Sequence, residues 1–320
     1  MKPAAQRVWS WVRRVAPWVL ATLVLALVAR LARTVDWPEV WRGLQTLSPA
    51  RLAGASALAL FSYALYASFD LVGRRLTGHA LSIPRTMGIA AISYAFGLNF
   101  GAWIGGIGLR LRLYTRWGLP ASTAARIIAH SVVTNWIGYL WVAGAVLMWA
   151  PPALPAAWML PDTGLRAIGL AMVAATLAYL ALCRYSRQRQ LRWRGYVLLL
   201  ARGRLAAVQA LAGGANWLLI GTVVWSLLGG RIDYPAVLGA MLLAAVAGVV
   251  THVPANLGVM EAVVVAALGA RLPVAELLAA LLAYRATYYL LPLSLALPAY
   301  ALSEAAARRA GSSSRPGRQS

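Results

Sequence analysis

Glu261 and Arg285 have the residue types and the surroundings from which chemistry could arise. The chain carries only eight acidic residues among 320, and Glu261 is the one set deepest in apolar sequence. A carboxylate in hydrocarbon must be protonated, paired or wetted by a cavity, so an intramembrane acid is a functional hypothesis in its own right. Arg285 lies within the apolar run from Val274 to Leu302, where its charge needs a partner, and Glu261 is the evident one. Two readings follow: a structural salt bridge, or an arginine that holds an anionic head group while Glu261 couples or gates. Ahead of Glu261 stands His252-Val253-Pro254-Ala255-Asn256-Leu257-Gly258. There Pro254 and Gly258 break the helix and free backbone groups beside the side chains of His252 and Asn256.

A second group comprises Asn99, Trp103, Arg110 and Arg112, set around a turn opened by Gly97, Gly101, Gly105, Gly106 and Gly108. Its arginines suit lipid phosphates at the membrane surface, or serve only as topology anchors. His130, Thr134 and Asn135 share one helix, where interhelical hydrogen bonding explains them as well as a site does. Asp70 has Arg74 four residues on, which predicts a local ion pair. The single Cys183 and three histidines favour neither a disulfide nor a metal centre, and no cofactor is expected. Walker, zincin and nucleophile-elbow signatures are missing from the sequence.

The elements that must position these residues are membrane helices. Residues are 61% hydrophobic and 12% charged, and the apolar runs approach the roughly 20 residues needed to cross a bilayer. Runs such as Val237 to Val250 show no strand-like alternation, which argues against a β-barrel. The net charge of +22 lies between hydrophobic spans and reads as orientation; nucleic acid is not an expected partner. Spans are predicted at about Pro17–Ala32, Arg51–Val72, Ala124–Ala150, Leu165–Leu182, Leu205–Leu228 and Val274–Leu302. The basic residues before the first span suggest a signal peptide, but Arg30 and Arg33 replace a cleavage site, so it reads as an uncleaved helix.

Two apolar stretches, Thr86–Leu109 and Tyr234–Ala270, are broken internally. A single crossing by the first would set the basic clusters around Arg85 and Arg112 on opposite faces, against the positive-inside rule. Re-entrant hairpins close the count. The predicted fold is therefore all-α and polytopic, with about six full spans plus two oppositely oriented re-entrant hairpins in an inverted repeat. The alternative is eight plain spans. Residues 1–16 form a basic cytoplasmic N-terminus, 17–302 the transmembrane region with halves at 17–150 and 165–302, and 303–320 a basic disordered cytoplasmic tail.

The run Leu98 to Tyr114, the segment Thr134 to Tyr139, the break Pro254 to Glu261, and Tyr284-Arg285 with Tyr288, Tyr289 and Pro292 carry a family resemblance. The chain resembles the flippase-like superfamily that includes the transmembrane region of lysylphosphatidylglycerol synthases, most closely its YbhN-type bacterial inner-membrane proteins. Ala255 and Asn256 stand where that pattern usually has glycines. The resemblance implies a bacterial inner-membrane protein that moves lipid between leaflets, with membrane lipids, anionic head groups foremost, as partners. The soluble domain that aminoacylates lipid has no counterpart in the sequence, so lysyl transfer is not expected. Two other readings stay open: a membrane enzyme on lipid-linked substrates, using Glu261 or His252 as acid/base, and a scaffold for envelope-biosynthesis proteins.

Overall fold

The computed structural model describes residues 36–152, 161–188, 190–193 and 196–313. In chain order the elements are α1 (Trp37–Gln45), α2 (Pro49–Thr77), α3 (Ile83–Phe100), a π-helical segment (Ala102–Gly108), α4 (Leu109–Arg116), α5 (Ala121–Trp149) and α6 (Asp162–Tyr185). Then come β1 (Gln190–Trp193), β2 (Tyr196–Leu199), α7 (Gly203–Leu227), α8 (Tyr234–Thr251), a 3-10 turn (Pro254–Asn256) and α9 (Val259–Leu268). A last helix runs through α10 (Val274–Tyr284), a second π segment (Arg285–Leu290) and α11 (Leu291–Ser313). The expected first span and the basic N-terminus lie outside the described residues.

Among the described residues, six helices are long and apolar enough to cross a membrane: Pro49–Thr77, Ala121–Trp149, Asp162–Tyr185, Gly203–Leu227, Tyr234–Thr251 and Val274–Ala305. Five match spans read from the sequence; Tyr234–Thr251 is the first limb of the segment expected to be broken. Local signals set their ends. Pro49 opens α2 behind Ser48, whose hydroxyl accepts from the Arg51 amide at 3.3 Å, and Gly78 closes it in a left-handed conformation (φ 66°).

The centre of the bundle is α5 packed on α2, α6 and α7, with α2 also on α7. Apolar helices gain little from hydrophobicity against lipid, so close backbone approach must supply the attraction. Small residues permit it. A Cβ at Gly73 would sit 2.7 Å from Ile127 Cα, and one at Gly138 or Gly213 would strike the backbone of the facing helix. Interhelical bonds add direction: the Trp141 indole donates to Ala210 O (2.8 Å), Tyr139 to Leu242 O (3.1 Å), and the Gln209 amide to the Thr134 hydroxyl (3.0 Å). We expect Gly213→Val to destabilise by about 3 kcal/mol or more, at the upper end of overpacking effects. Survival of the monodisperse detergent peak after heating measures it.

Charges segregate to the two ends of α5. At its start, Arg85 lies over the Trp117 ring (3.9 Å), and Glu304 pairs with Arg116 (2.9 Å) and Arg112 (3.5 Å). Beyond its other end, Pro151 and Pro152 share a small cavity with Asp233 and Arg271, which pair at 3.5 Å. Arg231 and Glu276 form a further ion pair.

Three features add to or correct the sequence reading. The hydrophilic segment after α6 forms an antiparallel ribbon, with Gln190 opposite Leu199 and Trp193 opposite Tyr196. Residues 303–313, expected to be disordered, continue α11 as helix, because the stretch from Ser303 is rich in alanine and meets no glycine before Gly311. Finally, α1 is a short amphipathic helix. Asp36 caps it by accepting from the Glu39 amide (3.1 Å), Val40 buries against Ala275, Leu278 and Ala279, and Trp37 and Trp41 face outward. Outward tryptophans suit the membrane–water interface.

Candidate functional site

The second broken segment is a helical hairpin. Its limbs α8 and α9 pack on each other, and its tip holds four left-handed residues: His252 (φ 56°), Ala255 (φ 54°), Asn256 (φ 52°) and Gly258 (φ 74°). Three of these carry a Cβ, at a cost of about 1–2 kcal/mol each. The cost is met by a clasp. Arg285 donates from Nη1 to Ala255 O (3.0 Å) and from Nη2 to Asn256 O (3.1 Å). Its Nε and Nη2 also reach Glu261 Oε1 (2.6 Å) and Oε2 (3.0 Å), while Oε2 accepts from the Gly258 amide (2.9 Å). Asn256 completes it, donating its amide to Ala244 O at 3.1 Å.

The glycines usual at 255 and 256 in the resembling pattern thus answer a backbone requirement that this chain keeps with other residues. We expect Ala255→Gly to be tolerated or to stabilise by about 0.5–1 kcal/mol, and Gly258→Ala to cost about 1–2 kcal/mol. Thermal midpoints of the purified variants check both.

The first broken segment turns at Gly101 (φ 96°), where α3 passes into the π-helical segment. A Cβ on Gly97 would lie 2.9 Å from Gly106 Cα, and one on Gly105 would strike the Phe96 carbonyl. The glycines let the limbs close on each other. Asn99 donates to Ala95 O (2.9 Å) and to Tyr289 O (3.2 Å), tying this turn to the second π segment.

Asp70 does not pair with Arg74. Its carboxylate is wholly buried and meets Arg110, with Nη2–Oδ1 at 2.5 Å and Nε–Oδ2 at 2.9 Å, and accepts from the Tyr114 hydroxyl (2.6 Å). Arg110 also donates to the Ser131 hydroxyl (3.2 Å), whereas Arg74 turns to Leu81 O (2.7 Å). Arg110 is therefore an interior residue, 5% exposed in its side chain, and not a surface one. Arg112 stays on the surface beside Glu304.

Between the two turns lies a cavity of about 500 Å³. Trp103, His252 and Asn256 line it, as does Asn135; Glu261, Arg285 and Asn99 are not among its lining residues. Beyond Trp103, sequence reasoning missed its aromatic lining. Trp136 and Trp217 face it, as do Tyr94, Tyr284, Tyr288 and Tyr289. The Tyr288 hydroxyl lies in a buried chain with Ser62 (2.7 Å) and Tyr94 (3.3 Å), and Ser62 donates to Asn216 Oδ1 (2.7 Å). The spacing of Tyr284 and Tyr288, one helical turn apart, was the available signal. Among the described residues, no group of three or more His, Cys, Asp or Glu could hold a metal.

Apolar helices of spanning length, two broken segments and a cavity where those breaks meet define a polytopic helical membrane protein. The chain belongs to the family of the lysylphosphatidylglycerol synthase TM region, whose model matches residues 17–296. It is 38% identical over 302 residues to the inner membrane protein YbhN of Escherichia coli (strain K12), covering 94% of this chain and 95% of that one. An uncharacterized protein of Synechocystis is 31% identical over 310 residues, covering 92% and 94%. The spanning helices and the inner-membrane relative together support a multi-pass inner-membrane protein.

Proposed function

We propose that this chain is a lipid translocase, in which a head group passes through the cavity between the two hairpin turns while the acyl chains stay in the bilayer. The observation that carries this reading is the cavity itself, formed where two interrupted helices meet, with exposed Phe100, Trp103 and Val249 on its rim. Non-helical backbone at membrane depth is tolerated where it lines a cavity, and such breaks mark substrate sites in transporters.

In this reading both hairpins are re-entrant. The ends of the first lie together, the Tyr114 hydroxyl 3.5 Å from Thr86 O, and the ends of the second meet through Asp233 and Arg271. Those closures fall at opposite ends of α5, as an inverted repeat requires. The end bearing Arg85, Arg112 and Arg116 faces the cytoplasm, as do both termini, and gathers anionic lipid at roughly 1 kcal/mol per basic residue. Envelope-biosynthesis proteins are the partners this placement suits.

The test is leaflet exchange of fluorescent phospholipids in vesicles containing purified protein, read by dithionite quenching. Exchange well above protein-free vesicles is expected for at least one lipid class, and none across anionic, zwitterionic and uncharged lipids would refute translocation. Single cysteines at Arg85, Thr115 and Arg271, introduced with Cys183→Ser, should label from one face, the same face and the opposite face respectively.

A further inference from the structure

We infer that the head group received by the cavity is uncharged and rich in hydroxyls, of glycosyl type, and is held by Asn135, Tyr284 and Trp136. This rests on the reading of the cavity as a lipid site and narrows it to one substrate class.

The argument begins with charge. None of the residues lining the cavity is Arg, Lys, Asp or Glu, and His252 at its edge is the one ionisable imidazole there. Arg285, which the sequence offered as the anion holder, is not among the lining residues, and all three of its guanidinium nitrogens are engaged by Glu261, Ala255 O and Asn256 O. A phosphate head group drawn in would lose water and gain no counter-charge, a cost of several kcal/mol. An ammonium fares little better. Cation–π contacts return about 0.5–2 kcal/mol, no carboxylate lines the wall, and the chain bears a net charge of +22.

The walls offer what a sugar needs. Aromatic faces give flat apolar platforms for the C–H faces of a pyranose ring, and neutral polar groups at their edges bond hydroxyls in either direction. The Asn135 side-chain amide, the Tyr284 hydroxyl and the Trp136 indole N–H make no hydrogen bond to the protein among the described residues, and all three residues line the cavity. Of the other polar groups there, Tyr288 is committed to Ser62 and Tyr94 and the Trp217 indole to Asn135 O at 3.1 Å, while Asn256 Oδ1 is buried without a partner and adds a further acceptor. Neutral donors and acceptors thus stay unsatisfied in the cavity lining and await a ligand. The rim is apolar: Trp103 is 72% exposed, with Phe100 and Val249 beside it. It suits emerging acyl chains, so the ligand is a glycolipid and not a free saccharide.

The experiment uses full-length protein in phosphatidylcholine nanodiscs, titrated with monoglucosyldiacylglycerol, phosphatidylglycerol or phosphatidylethanolamine bearing brominated chains, and read by tryptophan quenching. The glucosyl lipid is expected to bind at least tenfold tighter than either phospholipid. Asn135→Ala and Tyr284→Phe should each erase most of that preference, since one lost hydrogen bond is worth roughly tenfold. Equal or tighter binding of phosphatidylglycerol or phosphatidylethanolamine overturns the inference while leaving translocation intact. Glucosyl preference without exchange of any lipid sustains the inference and sinks the translocase. Full competition by millimolar methyl glucoside would overturn the glycolipid assignment in favour of a free saccharide.

Discussion

Asp70→Ala will lower stability by about 3–5 kcal/mol, the cost of stranding a buried charge. Arg110 cannot shed its proton to escape, and its side chain is 5% exposed, so without Asp70 the guanidinium keeps the Ser131 hydroxyl and the Tyr66 ring face but no counter-charge. Tyr114, wholly buried, would lose its 2.6 Å acceptor in the same step and keep only Thr86 O at 3.5 Å. The loss should appear as a lower midpoint for survival of the monodisperse detergent peak. The triple replacement Asp70→Met, Arg110→Met, Tyr114→Phe should recover most of it, because apolar groups of similar volume often match a buried ion pair. A stable Asp70→Ala variant would mean that glycine packing alone fixes the first hairpin to α2 and α5.

That network shows where sequence reading stops. The pairing of Glu261 with Arg285 was legible because the chain has so few charges in apolar sequence that each nearly dictates its partner. Asp70 had a plausible neighbour four residues on, and the local rule chose it. Burial decided otherwise: Asp70 points into the bundle, where Arg110 arrives from the returning limb of the hairpin, while Arg74 sits half-buried near the helix end and bonds Leu81 O. A chain-local rule does not contain that return. The broken segments themselves were legible from Gly97 to Gly108 and from Pro254 to Gly258, since glycine and proline act on their own backbone. The cavity was not. Its walls combine Trp136, Trp217 and Tyr284 from three separate helices, each an ordinary apolar membrane residue until packing brings them together.

Arg285→Ala, in contrast to Asp70→Ala, will leave the protein folded and cut lipid exchange at least tenfold. The core of the bundle, α5 against α2, α6 and α7, rests on contacts such as Gly138 with Gly213 that Arg285 does not touch. What Arg285 holds is the tip. Removing it takes the donors from Ala255 O and Asn256 O together, and left-handed residues that cost about 1–2 kcal/mol each would relax, moving Asn256 and His252 on the cavity wall. Glu261→Gln should be milder, roughly three- to tenfold, because a carboxamide oxygen can still accept from the Gly258 amide and from Arg285. Since the two residues act through one clasp, the double variant should be no worse than Arg285→Ala alone, a coupling of about 1–3 kcal/mol. The comparison that decides is exchange rate per folded molecule. For Asp70→Ala that ratio should stay near wild type while the folded fraction falls; for Arg285→Ala the folded fraction should hold while the ratio falls. If both variants lose exchange only in step with folded protein, the clasp is a structural brace, and the cavity operates without it.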